Sequence, residues 1–186
     1  MIDPHNITDY GRTDAELEEL LLNAITFASK SAQQQAQKMH TLLSRGKQSP
    51  FAKIRSWEKQ GALLQKLKSV KIGKYGLLAK SFSELAHSDI DLRTCSVEDL
   101  TKFPGIGEKT ARLFVLHSRP HQKYSVIDTH VLKEMRLLGM TKLKATPSGK
   151  KYAELEEKFL AHLEKVGITD FAAHDLGIWK KYTRSK

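Results

Sequence analysis

Apolar residues recur at intervals of three and four along nearly all of this 186-residue chain. That spacing places them on one face of an α-helix. No stretch alternates apolar and polar residues in the two-residue period of a half-buried strand. The sequence therefore predicts an all-α protein. The first helix shows the pattern through Leu17, Leu20, Leu21, Ala24, Ile25 and Ala28.

Capping residues indicate where several helices begin. Thr13 and Ser49 are candidate N-caps, and Ser96 with Asp99 has the spacing of a capping box. Thr169 is the candidate cap of the last helix. Further helices are predicted over about 32–43, 108–117 and 129–138.

The chain is strongly basic, with 31 Lys and Arg against 21 Asp and Glu and a net charge of +10. This excess favours a polyanionic partner such as nucleic acid. The densest group of basic residues comprises Lys53, Arg55, Lys59, Lys66, Lys68, Lys71, Lys74 and Lys80, with Glu58 as its one acid. A solvated helix face would explain most of the lysines in this group equally well.

The single cysteine, Cys95, excludes an internal disulfide and a cysteine-ligated zinc or iron–sulfur site within the chain. The sequence shows no basic-then-apolar leader and no run of eighteen apolar residues. We therefore expect an intracellular protein without a membrane partner.

A tight turn is predicted at Pro104-Gly105-Ile106-Gly107, immediately before an amphipathic helix. Glycine leaves the backbone uncovered, and the N–H groups of a helix N-terminus suit a phosphate. Two short helices around such a turn form a helix–hairpin–helix, which holds a nucleic acid backbone without reading bases. The same sequence is also compatible with an ordinary turn between two helices.

Lys109 and Asp128 are the candidate reactive pair. At a pKa near 10.4 only about one lysine in 2,500 is neutral at pH 7, so a nucleophilic lysine needs a lower pKa. A helix N-terminus and burial would both lower it. Asp128 follows nineteen positions later (128 − 109), where it can be a plain N-cap or an anion that stabilises a cationic sugar. Lys109 can alternatively be a phosphate-binding or solvated lysine.

Residues 103–111, followed by Val-Ile-Asp-Thr-His at 126–130, resemble the helix–hairpin–helix DNA glycosylases, the superfamily of endonuclease III and the 8-oxoguanine glycosylases. The resemblance implies a two-lobed all-α fold with the active site in the cleft between lobes. Residues 1–29 plus 129–186 would form one lobe. Residues 30–128 would form the other and end in the hairpin at about 96–117.

The resemblance also implies a bifunctional enzyme that releases a damaged base and cleaves the abasic site by β-elimination through a Schiff base on Lys109. Its expected partner is double-stranded DNA with a damaged base or abasic site, bound by a monomer that flips the base out. The implied DNA-binding residues are Gly105, Ile106, Gly107, Thr110, Lys102 and Lys30. No cofactor is required, although a structural Na⁺ or K⁺ is expected at the backbone carbonyls of Thr101, Phe103 and Ile106.

The end of the chain, 176–183 with a final Lys186, resembles the compact type-2 8-oxoguanine glycosylases. There Trp179 would stack on the flipped base and Lys186 would face its edge, which makes 8-oxoguanine the expected substrate. The ending is shorter than in that group, and Arg184 stands where the group has glycine. Trp179 can instead belong to the core. Oxidised pyrimidines, other modified bases and a non-catalytic DNA-binding module stay open as alternatives.

Overall fold

The computed structural model describes residues 1–27 and 31–183, and within these ranges the chain forms ten α-helices and no β-strand. The prediction of an all-α protein is therefore confirmed for the described residues. None of their helices is long and apolar enough to cross a membrane. A one-turn 3₁₀ helix (Pro4–Asn6) precedes α1 (Asp14–Thr26), α2 (Ala32–Leu43), α3 (Pro50–Lys59), α4 (Leu63–Ser69), α5 (Tyr75–His87), α6 (Val97–Thr101), α7 (Glu108–Ser118), α8 (Thr129–Leu137), α9 (Lys150–Lys165) and α10 (Phe171–Thr183).

Side-chain caps start the helices where the sequence predicts them. The Thr13 amide donates to the Glu16 carboxylate at 2.8 Å, and the Glu16 amide donates to the Thr13 hydroxyl, which completes a capping box. The Ser49 hydroxyl accepts from the amide of Ala52, the third residue of α3, at 3.3 Å. Ser96 and Asp99 form the second capping box, with distances of 3.0 and 3.1 Å. These bonds satisfy amides that have no partner within the helix.

One predicted cap was wrong. Thr169 does not cap α10, because the helix begins at Phe171 and the Ala173 amide donates to the Asp170 carboxylate at 2.9 Å. Asp170 is thus the N-cap, one residue later than predicted. Thr and Asp are both good caps, so sequence preference alone does not choose between neighbours.

The chain divides into two compact units, one of residues 1–4 and 11–106 and the other of residues 5–10 and 107–186. The predicted lobes have other bounds, 1–29 plus 129–186 and 30–128, and they stay a prediction. In the first unit α3 packs against α5, and α1 packs against α2, α3 and α5. Its fully buried side chains include Leu20, Leu21, Leu22, Met39, Ile54, Leu67, Ile72, Phe82 and Leu85.

The second unit is built on α7 to α10, with α10 packed against α8 and α7. An apolar stripe on α9 meets the inner faces of α8 and α10 and the segment that precedes α8. The resulting core comprises Ile127, Val131, Leu132, Met135, Tyr152, Leu155, Phe159, Leu163, Ile178 and Tyr182. Both candidate reactive residues lie in this unit.

The turn before Gly107 depends on one backbone conformation. Gly105 has a φ of +80°, in the left-handed region where a side chain is strained. A Cβ added there would come within 3.4 Å of the Leu77 side chain at the start of α5. The glycine is required here by its φ, and the contact with Leu77 adds a smaller steric constraint.

We therefore expect Gly105→Ala to lower the free energy of unfolding by about 1 kcal/mol, the strain of an L-residue in a left-handed conformation. Urea denaturation followed by circular dichroism measures it. The matched control is Gly76→Ala, because Gly76 lies in α5 with nothing within 4 Å of an added Cβ. That change should leave the stability unchanged or raise it, since alanine favours helix. Equal stabilities for Gly105→Ala and the wild type would contradict this account of the turn.

Candidate active site

Lys109 is the second residue of α7. The helix begins after Gly107, whose extended backbone acts as N-cap without a side-chain hydrogen bond. Lys109 is half-buried. In the part of the chain that the structure describes, its ammonium forms no hydrogen bond and no ion pair within 4.0 Å. The amine therefore stands at a helix N-terminus without a direct partner that would occupy it.

Asp128 ends the segment that leads into α8 and caps that helix, as predicted. Its Oδ1 accepts from the His130 amide at 2.8 Å and the Val131 amide at 2.9 Å. The Asp128 side chain is half-buried. Both cap bonds go to Oδ1, and Oδ2 has no hydrogen bond within residues 1–27 and 31–183. One oxygen of the carboxylate therefore caps the helix, and the other is available to accept a hydrogen bond or a proton.

Charged groups from three helices converge on Asp128. Burial raises the pKa of its carboxyl, and the negative charge of Asp175 on α10 raises that pKa further. The Lys109 ammonium, the Val131 amide and His130 oppose this rise. The structure thus brings Lys109 and Asp128 into electrostatic interaction within the second unit. It adds Asp175, which the sequence analysis missed, although it lies four residues before Trp179 on the same face of α10.

A buried ion pair supports this arrangement. Arg112, three residues after Lys109, places its Nε 2.6 Å from the Glu156 carboxylate of α9. The other oxygen of Glu156 accepts from the Ser125 amide at 2.9 Å. Burial raises the pKa of Glu156, while the Ser125 amide and Arg112 oppose that rise. The pair therefore joins α7 and α9 to the segment that ends at Asp128.

Tyr152 of α9 completes the connection. Its hydroxyl accepts from the Ile127 amide and donates to the Ser125 carbonyl, both at 2.9 Å. The Arg112 guanidinium lies over its ring, 4.5 Å from the centroid. These bonds fix the backbone immediately before Asp128. Arg112 belongs to the same cluster and lies one turn after Lys109 on α7. The cluster therefore positions both candidate reactive residues.

The predicted hairpin residues are differently exposed. Gly105 and Gly107 are exposed, and so is Lys102, whose ammonium pairs with the Asp99 carboxylate at 2.8 Å. Ile106 and Thr110 are buried. Their side chains therefore cannot reach a phosphate, so any contact at these two positions can be made only by backbone groups.

The predicted cation ligands are backbone carbonyls in the first unit. The Phe103 carbonyl accepts from the Ile106 amide at 3.2 Å. A carbonyl oxygen has two lone pairs, so this bond leaves room for a cation. Oxygen donors of this kind fit Na⁺ or K⁺, and the cation at Thr101, Phe103 and Ile106 stays a prediction.

Trp179 is half-buried on α10, and its ring meets the His5 ring edge-on with centroids 4.9 Å apart. Its predicted stacking on a base stays a prediction. Lys30 and Lys186 lie outside the described residues. Within the described residues, no group of three or more His, Cys, Asp or Glu side chains could hold a metal ion.

No family model, curated protein or solved structure matches this chain. The resemblance to the helix–hairpin–helix glycosylases therefore rests on the residues at 103–111, 126–130 and 176–183. Arguments about function must come from those residues and from the geometry around Lys109 and Asp128.

The Arg112–Glu156 pair gives a stability prediction with a close control. Glu164, on the same helix α9, also pairs with a cation at 2.6 Å, but its pair with Lys123 is about half exposed (49% and 55%), whereas Glu156 and Arg112 are 9% and 10% exposed. Glu156→Gln should lower the free energy of unfolding by about 3 kcal/mol, because it leaves a buried guanidinium without its counter-charge. Glu164→Gln should lower it by less than about 1 kcal/mol.

Urea denaturation at neutral pH measures both variants. Equal effects of the two substitutions would show that the buried pair contributes no more than a surface pair, and the proposed support of Lys109 and Asp128 would then be incorrect.

Proposed function

We propose that this protein is a bifunctional DNA glycosylase and abasic-site lyase that releases an oxidised base, 8-oxoguanine in the first instance. The observation that carries the proposal is that Lys109 and Asp128 lie in one compact unit, each at the N-terminus of a helix, and that the two charges interact electrostatically. The motif around both residues resembles the glycosylase motif, and the net charge of +10 suits a DNA backbone. The proposal includes the two-lobed fold that the resemblance implies.

In the proposed reaction, the Lys109 amine attacks C1′ of the deoxyribose of a flipped nucleotide. The bond from C1′ to the base breaks, and the base leaves with the bonding electrons and takes up a proton. The new secondary amine loses a proton, the C1′–O4′ bond breaks as O4′ takes up a proton, and the nitrogen lone pair forms the C1′=N bond of a Schiff base on Nζ. Loss of a C2′ proton then expels the 3′ phosphate by β-elimination.

Asp128 has two tasks in this scheme. Its raised pKa suits a group that receives the proton from the Lys109 ammonium, since attack needs a free lone pair on Nζ. When it passes that proton to the departing base it becomes an anion again, and it then stabilises positive charge on the sugar. The two cap bonds hold the carboxylate in place, so little reorganisation is needed during the reaction.

Base release inside a duplex requires the nucleotide to leave the stack, at a cost of a few kcal/mol that is smaller for a damaged pair. The exposed hairpin glycines and the basic surface would hold the backbone meanwhile. Such binding weakens as salt is added, because counterions compete for the phosphates.

The first test is covalent trapping. Borohydride reduces a Schiff base to a stable amine, so the wild type should become cross-linked to a duplex that carries 8-oxoguanine or an abasic site. Lys109→Gln should abolish the cross-link, because no amine is left at that position. Lys165→Gln, an exposed lysine on α9, should leave it unchanged. Salt-sensitive binding without any cross-link in the wild type would identify a non-catalytic DNA-binding module instead.

The substrate is tested in the same assay. Duplexes with 8-oxoguanine, an oxidised pyrimidine or another modified base should be compared, because the resemblance of the chain end alone favours 8-oxoguanine. Faster release of another base would keep the chemistry and change the substrate.

Asp128→Asn separates capping from catalysis. Asparagine caps helices as well as aspartate does and has no ionised form for burial to penalise, so the stability should be unchanged or slightly higher. Removing the charge should slow base release by about 10²–10⁴-fold in single-turnover assays on damaged DNA. Asp128→Ala should slow it similarly and also lower the free energy of unfolding by about 1 kcal/mol. An unchanged rate for Asp128→Asn would remove Asp128 from the mechanism.

A further inference from the structure

A hydrogen-bonded chain of three side chains lies in the second unit. His117, near the end of α7, is almost fully buried, at 1% exposure. Its Nδ1 lies 2.8 Å from the Thr8 hydroxyl, and its Nε2 lies 3.2 Å from Oδ2 of Asp175. The sequence separations are 109 and 58 residues, so the fold brings these three groups together.

Proton positions in this chain follow from its chemistry. A carboxylate can only accept, so the hydrogen between His117 and Asp175 belongs to Nε2. Nδ1 of a neutral imidazole then accepts the hydrogen of the Thr8 hydroxyl. Both ring nitrogens of His117 thus have a partner, and the Asp175 carboxylate is held in one orientation.

Asp175 lies one turn before Ile178, and Ile178 packs in one buried cluster with Ile127 and Val131, which flank Asp128 in the sequence. The titratable and charged groups that act on Asp128 are Lys109 on α7, His130 on α8 and Asp175 on α10. Around Asp175 stand His117 on α7 and Tyr152 on α9, besides its neighbour on α10, His174. Asp175 thus adds a negative charge from a third helix to the electrostatic surroundings of Asp128.

We propose that Asp175 is a positioning residue of the active site proposed above and acts through Asp128. His117 and Thr8 hold it as a fixed anion. Its charge opposes the ionised form of Asp128 and so favours proton transfer from Lys109. In that step an N–H bond of the ammonium breaks, an O–H bond forms on Asp128, and the electron pair stays on Nζ for attack.

The direct test needs no DNA and therefore does not depend on the proposed function. Carbon-13 NMR of protein labelled at aspartate Cγ follows the titration of Asp128. In Asp175→Asn the pKa of Asp128 should fall by a few tenths to about one pH unit, because a repelling charge is removed. Asparagine still accepts from His117, so the fold is kept. The matched control is Asp170→Asn on the same helix, where asparagine preserves the cap and Asp128 should titrate as in the wild type.

An Asp128 titration unchanged in Asp175→Asn would overturn the inference even if the protein is a glycosylase.

The catalytic consequence has a defined sign. If Asp128 must be ionised to act, the acid limb of single-turnover base release reports its pKa. In Asp175→Asn this limb should move to lower pH, whereas a purely structural role would lower the rate at every pH and leave the limb in place. Asp175→Glu retains the charge and should restore the limb toward its wild-type position. Absence of base release in the wild type would refute the proposed function and leave the NMR result to decide on Asp175.

Discussion

The buried ion pair between Arg112 and Glu156 is the constraint on which the second unit depends. A guanidinium and a carboxylate lose several kcal/mol of hydration on burial, and they are tolerated only if every remaining donor and acceptor finds a partner. Here the Ser125 amide donates to Glu156, the Glu108 carbonyl accepts from Arg112, and the face of Tyr152 covers the guanidinium. Replacing the pair by apolar side chains would remove that cost, but the segment before Asp128 would lose the acceptor for its Ser125 amide.

The position of this pair explains why two distant stretches of sequence can act together. Arg112 lies one helical turn after Lys109, and the Ser125 and Ile127 amides lie directly before Asp128. α9 carries both partners, Glu156 and Tyr152, at one-turn spacing. A single helix, α9, therefore fixes the position of α7 relative to the segment that precedes Asp128. The pair of candidate reactive side chains inherits its geometry from polar contacts that touch neither of them.

Local parts of the structure could be predicted from the sequence, and contacts between distant residues could not. Helical periodicity and the caps at Thr13, Ser49 and Ser96 are encoded within a few residues, so the helix starts follow. The cap of α10 was predicted at Thr169 and lies at Asp170, because both residue types can cap a helix. Lys109 and Asp128 could be named because they lie within one recognisable motif.

The remaining residues of the site carry no such signal. Arg112 and Glu156 are 44 positions apart, and neither residue type is distinctive on an amphipathic helix. Thr8, His117 and Asp175 look like ordinary polar residues until the fold joins them. Tertiary contacts of this kind are invisible to spacing rules, since the rules read only neighbours along one helix or strand.

Asp128 also lowers the free energy of unfolding when it is ionised. A carboxyl whose pKa is higher in the folded state than in the unfolded state binds its proton more tightly when folded. For Asp128, the free energy of unfolding therefore falls as the pH rises from the unfolded-state value through the raised folded-state value. Below that window the acid is protonated in both states and the penalty is absent, whereas above the raised folded-state value the penalty is fully present. A cap that stays exposed would avoid this penalty, and perturbed carboxyls of this kind are concentrated at functional sites, which is the place that the proposed function gives to Asp128.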